Sequence, residues 1–195
     1  MPFYTDAAVL PDLWLQGSGG KSANMPLNAI STKTIATSKT IYAILIPTQA
    51  DVVYSGVRLC IGTVGTAPTG FFVGLATAAA VGAKGNMLVQ SSNLSASTGL
   101  TTAGEQQFPF SSTYLETGSG VNQRMVVVLE DCTNGATAIT PQKAASGVDG
   151  TTVQPNSYPN CALCGTNQTA LPANGAQLPA NYSLGSSLCY YVELY

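Results

Sequence analysis

An unbroken apolar run decides the fold of this chain: Ile41-Tyr42-Ala43-Ile44-Leu45-Ile46, which ends before Pro47. A run of this length, rich in apolar residues and bounded by proline, is typical of a strand buried on both faces. The segment that follows alternates instead. One side of it carries Val53, Val57, Leu59 and Ile61, and the other side carries Tyr54, Gly56, Arg58 and Cys60. Such alternation predicts a strand with one face toward a core.

Further short segments with strand character lie downstream, separated by glycine-rich turns. They cover residues 71–75, 87–89, 121–129 and 188–194. Six to eight short strands predict an all-β fold, an antiparallel β-sandwich or jelly roll made of two sheets. The alanine-rich stretch 76–83 is bracketed by glycines and allows at most a single helical turn.

The first part of the chain differs from the strand region. Residues 1–40 contain three prolines, the run Gly17-Ser18-Gly19-Gly20 and a polar stretch, so we expect an extended N-terminal arm. Inside this arm lies a short apolar segment that includes the only tryptophan of the chain. Its apolar residues, which we expect to dock on the protein's own core or on a neighbouring subunit, are Val9, Leu10, Leu13, Trp14 and Leu15.

The remainder, residues 41–195, is predicted to form one β-sandwich domain. A domain of this size buries enough surface to fold without disulfides. Within it, residues 140–185 are crowded with proline, asparagine, glutamine and glycine and predict a long loop insertion. Loops of this length inside a compact domain are usually functional or interfacial.

Charge is scarce throughout the chain. Charged residues make up 8% of the sequence, the formal net charge is −2, and the pI is near 4.8. Because phosphate binding requires clustered lysine and arginine, nucleic acid is not an expected partner. No apolar stretch approaches the roughly 18 residues of a membrane span, and the first residues do not resemble a secretory signal, so no membrane association is expected. A surface with so few charges protects a free monomer poorly and is typical of a protein held in an assembly.

The residues for most enzyme chemistry are missing. The chain has no histidine, which removes the commonest general base, the commonest metal ligand and the Ser-His and Cys-His nucleophile pairs. The adjacent acids Glu130 and Asp131 point to opposite faces of a strand, and we interpret them as a solvated strand end. We expect no enzymatic activity, no metal and no cofactor.

Two other features leave alternatives open. Cys161 and Cys164 have the spacing of a redox dithiol or half a zinc site, but they lie in a proline-rich loop, where a disulfide between them or idle thiols is the simpler expectation.

Four tyrosines near the C-terminus could form a platform for a sugar, although strand alternation also explains two of them as packed residues. These tyrosines are Tyr182, Tyr190, Tyr191 and Tyr195.

The central segments resemble a known class of protein. They are residues 53–65 (VYSGVRLCIGTVG), 72–75 (FVGL), 104–114 (GEQQFPFSSTY) and 125–129 (MVVVL). Together they are similar to the β-sandwich modules of tailed-bacteriophage virion structural proteins, over about residues 41–131. The resemblance implies a structural role, either as a head decoration or cement protein or as a tail-fibre or baseplate module.

On this basis the first hypothesis is a capsid cement protein, located in the virion and assembled in the host cytoplasm. Its partners would be the major capsid protein and sister copies, as a homo-oligomer and in particular a trimer, because decoration proteins must match the symmetry of a shell. The alternative is a tail-fibre or baseplate receptor-binding module that recognises a host surface glycan through the 140–185 loop and the terminal tyrosines.

Overall fold

The computed structural model describes residues 21–23, 30–33, 37–79, 82–144, 161–180 and 190–195. The strands, in chain order, are β1 Ser22–Ala23, β2 Ile30–Lys33, β3 Thr40–Gln49, β4 Val53–Thr63, β5 Gly70–Thr77, β6 Met87–Gln90, β7 Gly104–Leu115, β8 Val121–Asp131, β9 Thr140–Ala144, β10 Cys161–Gly165 and β11 Val192–Leu194. A single 3₁₀ turn, Thr98–Leu100, is the only helical element among the described residues.

The strands form two antiparallel sheets that pack as a sandwich, as the sequence predicted. One sheet has five strands in the order β10-β3-β8-β5-β6. In the other, β4 pairs with β7, β11 and β9, while β1 and β2 lie outside β11 and β9. Every strand pair is antiparallel. Between the sheets, apolar side chains from both inner faces form the main core.

Strand β3 is buried on both faces, which confirms the interpretation of its apolar run. Tyr42 and Ile44 lie in the main core, while Ile41 and Ala43 belong to a second core on the outer face of the same sheet. The strand does not stop at Pro47, however. It continues to Gln49. Strand β10 pairs with β3 only from Ile41 to Ile44, so Pro47 lies beyond the end of β10, where a proline within a strand is tolerated.

The second core is covered by residues that follow β10. Leu171 and Leu178 pack there beside Cys164, all at most 6% exposed. The predicted loop insertion 140–185 therefore contains two strands, β9 and β10, and its described residues 161–180 form a packed layer over the five-stranded sheet. Strands β3 and β8 are apolar on both faces because this layer covers the outer face of their sheet.

This layer leads to a stability prediction. Leu178 is 1% exposed, so we expect Leu178→Ala to lower the free energy of unfolding by about 2 kcal/mol, the low end for a buried leucine because a loop relaxes more easily than a strand. The matched control is Leu163→Ala, since Leu163 is 37% exposed and should change stability little. Denaturant titration of both variants measures the difference. Equal stabilities would show that residues 161–180 contribute no second core.

A large bulge in β7 changes which side of β4 faces the core. Tyr54 pairs with Tyr114, but Gly56 pairs with Pro109, so residues 110–113 of β7 stand opposite Ser55 alone. As a result Tyr54 is fully buried in the main core, and Val53 is 41% exposed. The prediction that Val53 shares a face with Val57 is therefore wrong, because a bulge reverses the alternation of side chains on either side of it.

Part of the predicted arm belongs to the sheet. Strand β1 pairs with β11, and β2 pairs with β9. The apolar residues expected to dock elsewhere, Val9, Leu10, Leu13, Trp14 and Leu15, lie outside the described residues.

Candidate functional site

The predicted cysteine pair falls at the edge of the five-stranded sheet. Cys161 begins β10, opposite Ile44, and its side chain lies outside the described part of the structure. Cys164 is 1% exposed, and burial raises the pKa of its thiol to about 12. Because the thiolate is the reactive form, Cys164 is a poor redox nucleophile. The disulfide between Cys161 and Cys164 stays a prediction.

Two other described cysteines lie in different places. Cys60 lies on β4, and burial followed by the nearby charge of Glu105 raises the pKa of its thiol. Cys132 follows β8, where burial and then the charges of Glu130 and Asp131 raise its pKa to about 11. Within the described ranges, no group of three or more histidine, cysteine or acidic side chains is placed to hold a metal ion.

Glu130 and Asp131 are buried, each 2% exposed, so the expectation of a solvated strand end is wrong. The turn after β8 folds back over them. The backbone N–H of Ile139 lies 3.2 Å from both carboxylate oxygens of Glu130, and the N–H of Thr133 donates to Asp131 over 2.9 Å. Gly65 permits this packing, since a Cβ there would lie 2.4 Å from the carbonyl oxygen of Thr137.

The environment of Glu130 changes its protonation. Burial raises the pKa of its carboxyl group from 4.5 to about 7, against the smaller opposing effects of the Ile139 N–H and the Cys132 thiol. Neither of the two ion pairs found among the described residues includes Glu130. A carboxyl group titrating near neutrality suits general acid or base catalysis, but 2% exposure leaves a substrate no access to it.

A buried ion pair joins the C-terminal strand to β4. Arg58 and Glu193 are directly opposite in register, with Nη1 and Oε1 separated by 2.9 Å and side-chain exposures of 10% and 0%. The Tyr191 hydroxyl donates to the other oxygen of Glu193 over 3.0 Å, and the guanidinium lies 5.6 Å from the centre of the Tyr195 ring. These contacts satisfy both charges in a site nearly closed to water.

A second ion pair closes one end of the sandwich. Glu116 is fully buried, and its Oε1 lies 2.5 Å from Nη2 of Arg124, while its Oε2 accepts a hydrogen bond of 2.7 Å from the Thr48 hydroxyl. Of the eleven charged residues whose burial the structure describes, five are buried: Arg58, Glu116, Glu130, Asp131 and Glu193. Nearly half of the described charged residues are thus inside the fold, so the described surface relies more on uncharged polar groups.

Two of the four tyrosines considered as a sugar platform are inside the protein. Tyr190 and Tyr191 are at most 1% exposed, and the Tyr190 ring packs edge-on against Tyr42 with centroids 5.1 Å apart. Tyr195 is partly exposed, and Tyr182 lies outside the described residues. Among the described tyrosines of this cluster, only the Tyr195 ring therefore has surface to offer for stacking.

Exposed apolar residues instead lie on the outer face of β4 and β7, on both sides of the bulge. Val53 and Leu115 are directly opposite in register and are 41% and 51% exposed. Pro109 is exposed between the buried Phe108 and Phe110, so it faces outward too. The hydroxyl end of Tyr195 lies against Gly56, the partner of Pro109, where an added Cβ would be 2.5 Å away. We call these four residues, Val53, Pro109, Leu115 and Tyr195, the outer apolar strip.

Comparison with models of protein families finds no match for this chain, and comparison with curated proteins finds none either. No helix in the described ranges is long and apolar enough to cross a membrane. The likeness of the central segments to phage β-sandwich modules therefore stays a prediction.

Proposed function

We propose that this chain is a structural protein of a tailed-phage virion, a decoration or cement protein that stabilises the head shell. It binds the major capsid protein and sister copies and acts by association rather than by catalysis, without a metal, a cofactor or nucleic acid. The observation that carries this proposal is the scarcity of surface charge. Five of the eleven charged residues with described burial are inside the fold, so few charges remain on the described surface to keep a monomer apart from other proteins in solution.

The binding energy would come from burying apolar side chains of the arm. Transfer of apolar surface from water contributes about 25 cal/mol per Å², and a few large residues usually provide most of an interface's affinity. In this chain we assign that role to Val9, Leu10, Leu13, Trp14 and Leu15 of the N-terminal arm. A trimer placed on a symmetry axis of the shell would engage three such segments at once, which multiplies the occupancy of each site.

Loss of the arm's central residues should release the protein from shells. Purified wild type and Leu13→Ser/Trp14→Ser are added to shells assembled from the major capsid protein of the phage that encodes the chain. We expect at least a tenfold loss of occupancy for the double variant, since interface hot spots contribute about 2 kcal/mol or more each, and a matching loss of the shell's resistance to heat.

The control for that experiment is Val64→Ser, because Val64 is 39% exposed and lies outside the arm and the outer apolar strip. It should bind as wild type does. Wild-type protein that does not bind shells, or equal occupancy and heat resistance for the arm variant, would contradict the cement role.

The alternative role in receptor binding has lost its clearest support, because Tyr190 and Tyr191 are buried. The described part of the 140–185 loop is packed on the sheet through Leu171 and Leu178. A glycan-array signal from the purified chain, together with its location on the tail, would favour that alternative over the head.

A further inference from the structure

We infer that in the free protomer the outer apolar strip holds residues 9–15 of the same chain. The occupant is thus the apolar segment with Val9, Leu10, Leu13, Trp14 and Leu15, and the site is formed by Val53, Pro109, Leu115 and Tyr195. This goes beyond the proposed function, since it concerns the protein before any partner is bound and holds whether or not the chain is a virion component.

The first support is the place where the chain enters the sheet. The backbone N–H of Lys21 donates to the carbonyl oxygen of Leu194 over 2.7 Å, so β1 runs beside the C-terminal strand. Because β1 and β11 are antiparallel, Lys21 lies near Tyr195, whose carbonyl oxygen accepts from the N–H of Ser55 over 2.6 Å. The Lys21 ammonium group itself lies 2.5 Å from the carbonyl oxygen of Val53. Lys21, to which the N-terminal segment is joined, therefore lies beside Val53 of the outer apolar strip.

The second support is reach. Five residues, Gln16-Gly17-Ser18-Gly19-Gly20, separate the apolar segment from Lys21. A chain of this length spans at most ~20 Å when extended, and a glycine-rich linker has a typical end-to-end distance of ~13 Å. The strip adjoins Lys21, so the tether is long enough, and a short flexible tether gives an effective concentration in the millimolar range. A neighbouring copy reaches that concentration only in an assembly.

The third support is chemical fit. Val53 and Leu115 face each other across two strands and expose 41% and 51% of their surface, which suits a branched side chain such as Leu13. Pro109 and the Tyr195 ring offer flat apolar surface to the indole of Trp14. Asp12 stands within the apolar segment, and the exposed ammonium group of Lys21 stands beside the strip, so the charges are complementary as well.

Docking of this kind would cover the most hydrophobic part of the arm until a partner competes for it. The same residues would then be available for transfer to a neighbour, because a site of this small area releases its occupant readily. The strip thus acts as a storage site for the arm in the free protein.

Trp14 provides a direct probe, because it is the only tryptophan of the chain. In the full-length wild type, we expect its fluorescence emission to be shifted to shorter wavelength and its quenching by acrylamide to be several-fold weaker than in the urea-unfolded protein. In Val53→Ser/Leu115→Ser, both quantities should approach those of the unfolded chain. Val64→Ser is the matched control and should behave as wild type does.

The thermal melting points of the variants, expected to be close to wild type because all three substituted residues are exposed, show that the fold is kept. Light scattering gives the mass at each concentration. Trp14 as accessible as in urea, or protection that survives in Val53→Ser/Leu115→Ser, would overturn the inference. Protection that disappears on dilution together with an oligomer would also overturn it, by assigning the strip to the segment of a second copy. Shell binding is measured separately, so failure here and failure of the cement role are distinguishable.

Discussion

Arg58→Ala should destabilise the sandwich by about 3–5 kcal/mol, the usual cost of removing one partner of a buried ion pair. Glu193 is 0% exposed, and after the substitution it would keep only the hydrogen bond from the Tyr191 hydroxyl among its described side-chain contacts. For a chain of this length such a loss corresponds to a fall in melting temperature on the order of 10 °C. Thermal unfolding followed by circular dichroism measures it.

Two further variants separate the charge from general effects of substitution. Lys84→Ala removes an exposed cation whose ammonium group donates to the carbonyl oxygen of Pro179, and it should cost less than about 0.5 kcal/mol. Arg58→Met/Glu193→Leu removes both buried charges and should recover most of the stability lost in Arg58→Ala. If Arg58→Ala were as stable as Lys84→Ala, the burial of the pair would be wrong.

Glu130→Gln should abolish a pH dependence that the wild type shows near neutrality. The pKa of Glu130 is about 7 in the folded protein and near 4.5 when the chain is unfolded. Between these two pH values the folded state holds more protons than the unfolded state, so the free energy of unfolding falls as the pH rises. The difference corresponds to about 3 kcal/mol, fully present below pH 4.5 and lost by about pH 7.

Glutamine keeps an oxygen for the N–H of Ile139 and carries no charge to bury. We therefore expect Glu130→Gln to be more stable than wild type at pH 8, with a nearly flat profile where wild type declines. Guanidinium titrations at pH 5, 6, 7 and 8, as set by the expected titration range, make the comparison. Glu105→Gln, at an exposed carboxyl, should retain the wild-type slope. A decline in Glu130→Gln as steep as in wild type would assign the effect to another group.

Local sequence was sufficient for six of the eleven described strands, whereas β1 and β2 lie in the predicted arm and β9 and β10 in the predicted loop. The apolar run of β3 and the alternation of β4 depend on neighbours two residues apart, and both were visible without a structure. Strand β7 was missed because Pro109 and a run of polar residues lower its strand character. In the described part of the chain β7 pairs with β4 on one side only. It is therefore an edge strand, and an edge strand accepts proline.

The features that sequence could not predict depend on distant contacts. Arg58 and Glu193 are 135 positions apart, and only the register of β11 on β4 brings them together. The burial of Glu130 depends on the turn that ends at Ile139, and the exposure of Val53 depends on a bulge in β7. The outer apolar strip exists because of that bulge, so no pattern within β4 alone could have revealed it.

The central claim is that this protein works by attachment to a virion shell. Its most direct test is cryo-electron microscopy of particles purified from cells that express the chain together with its major capsid protein. The account predicts density for a two-sheet sandwich at symmetry-related positions on the outside of the head, with the first residues of each copy in contact with the shell or with a sister copy. Bare shells, with the chain remaining in the soluble fraction as a monomer, would contradict it.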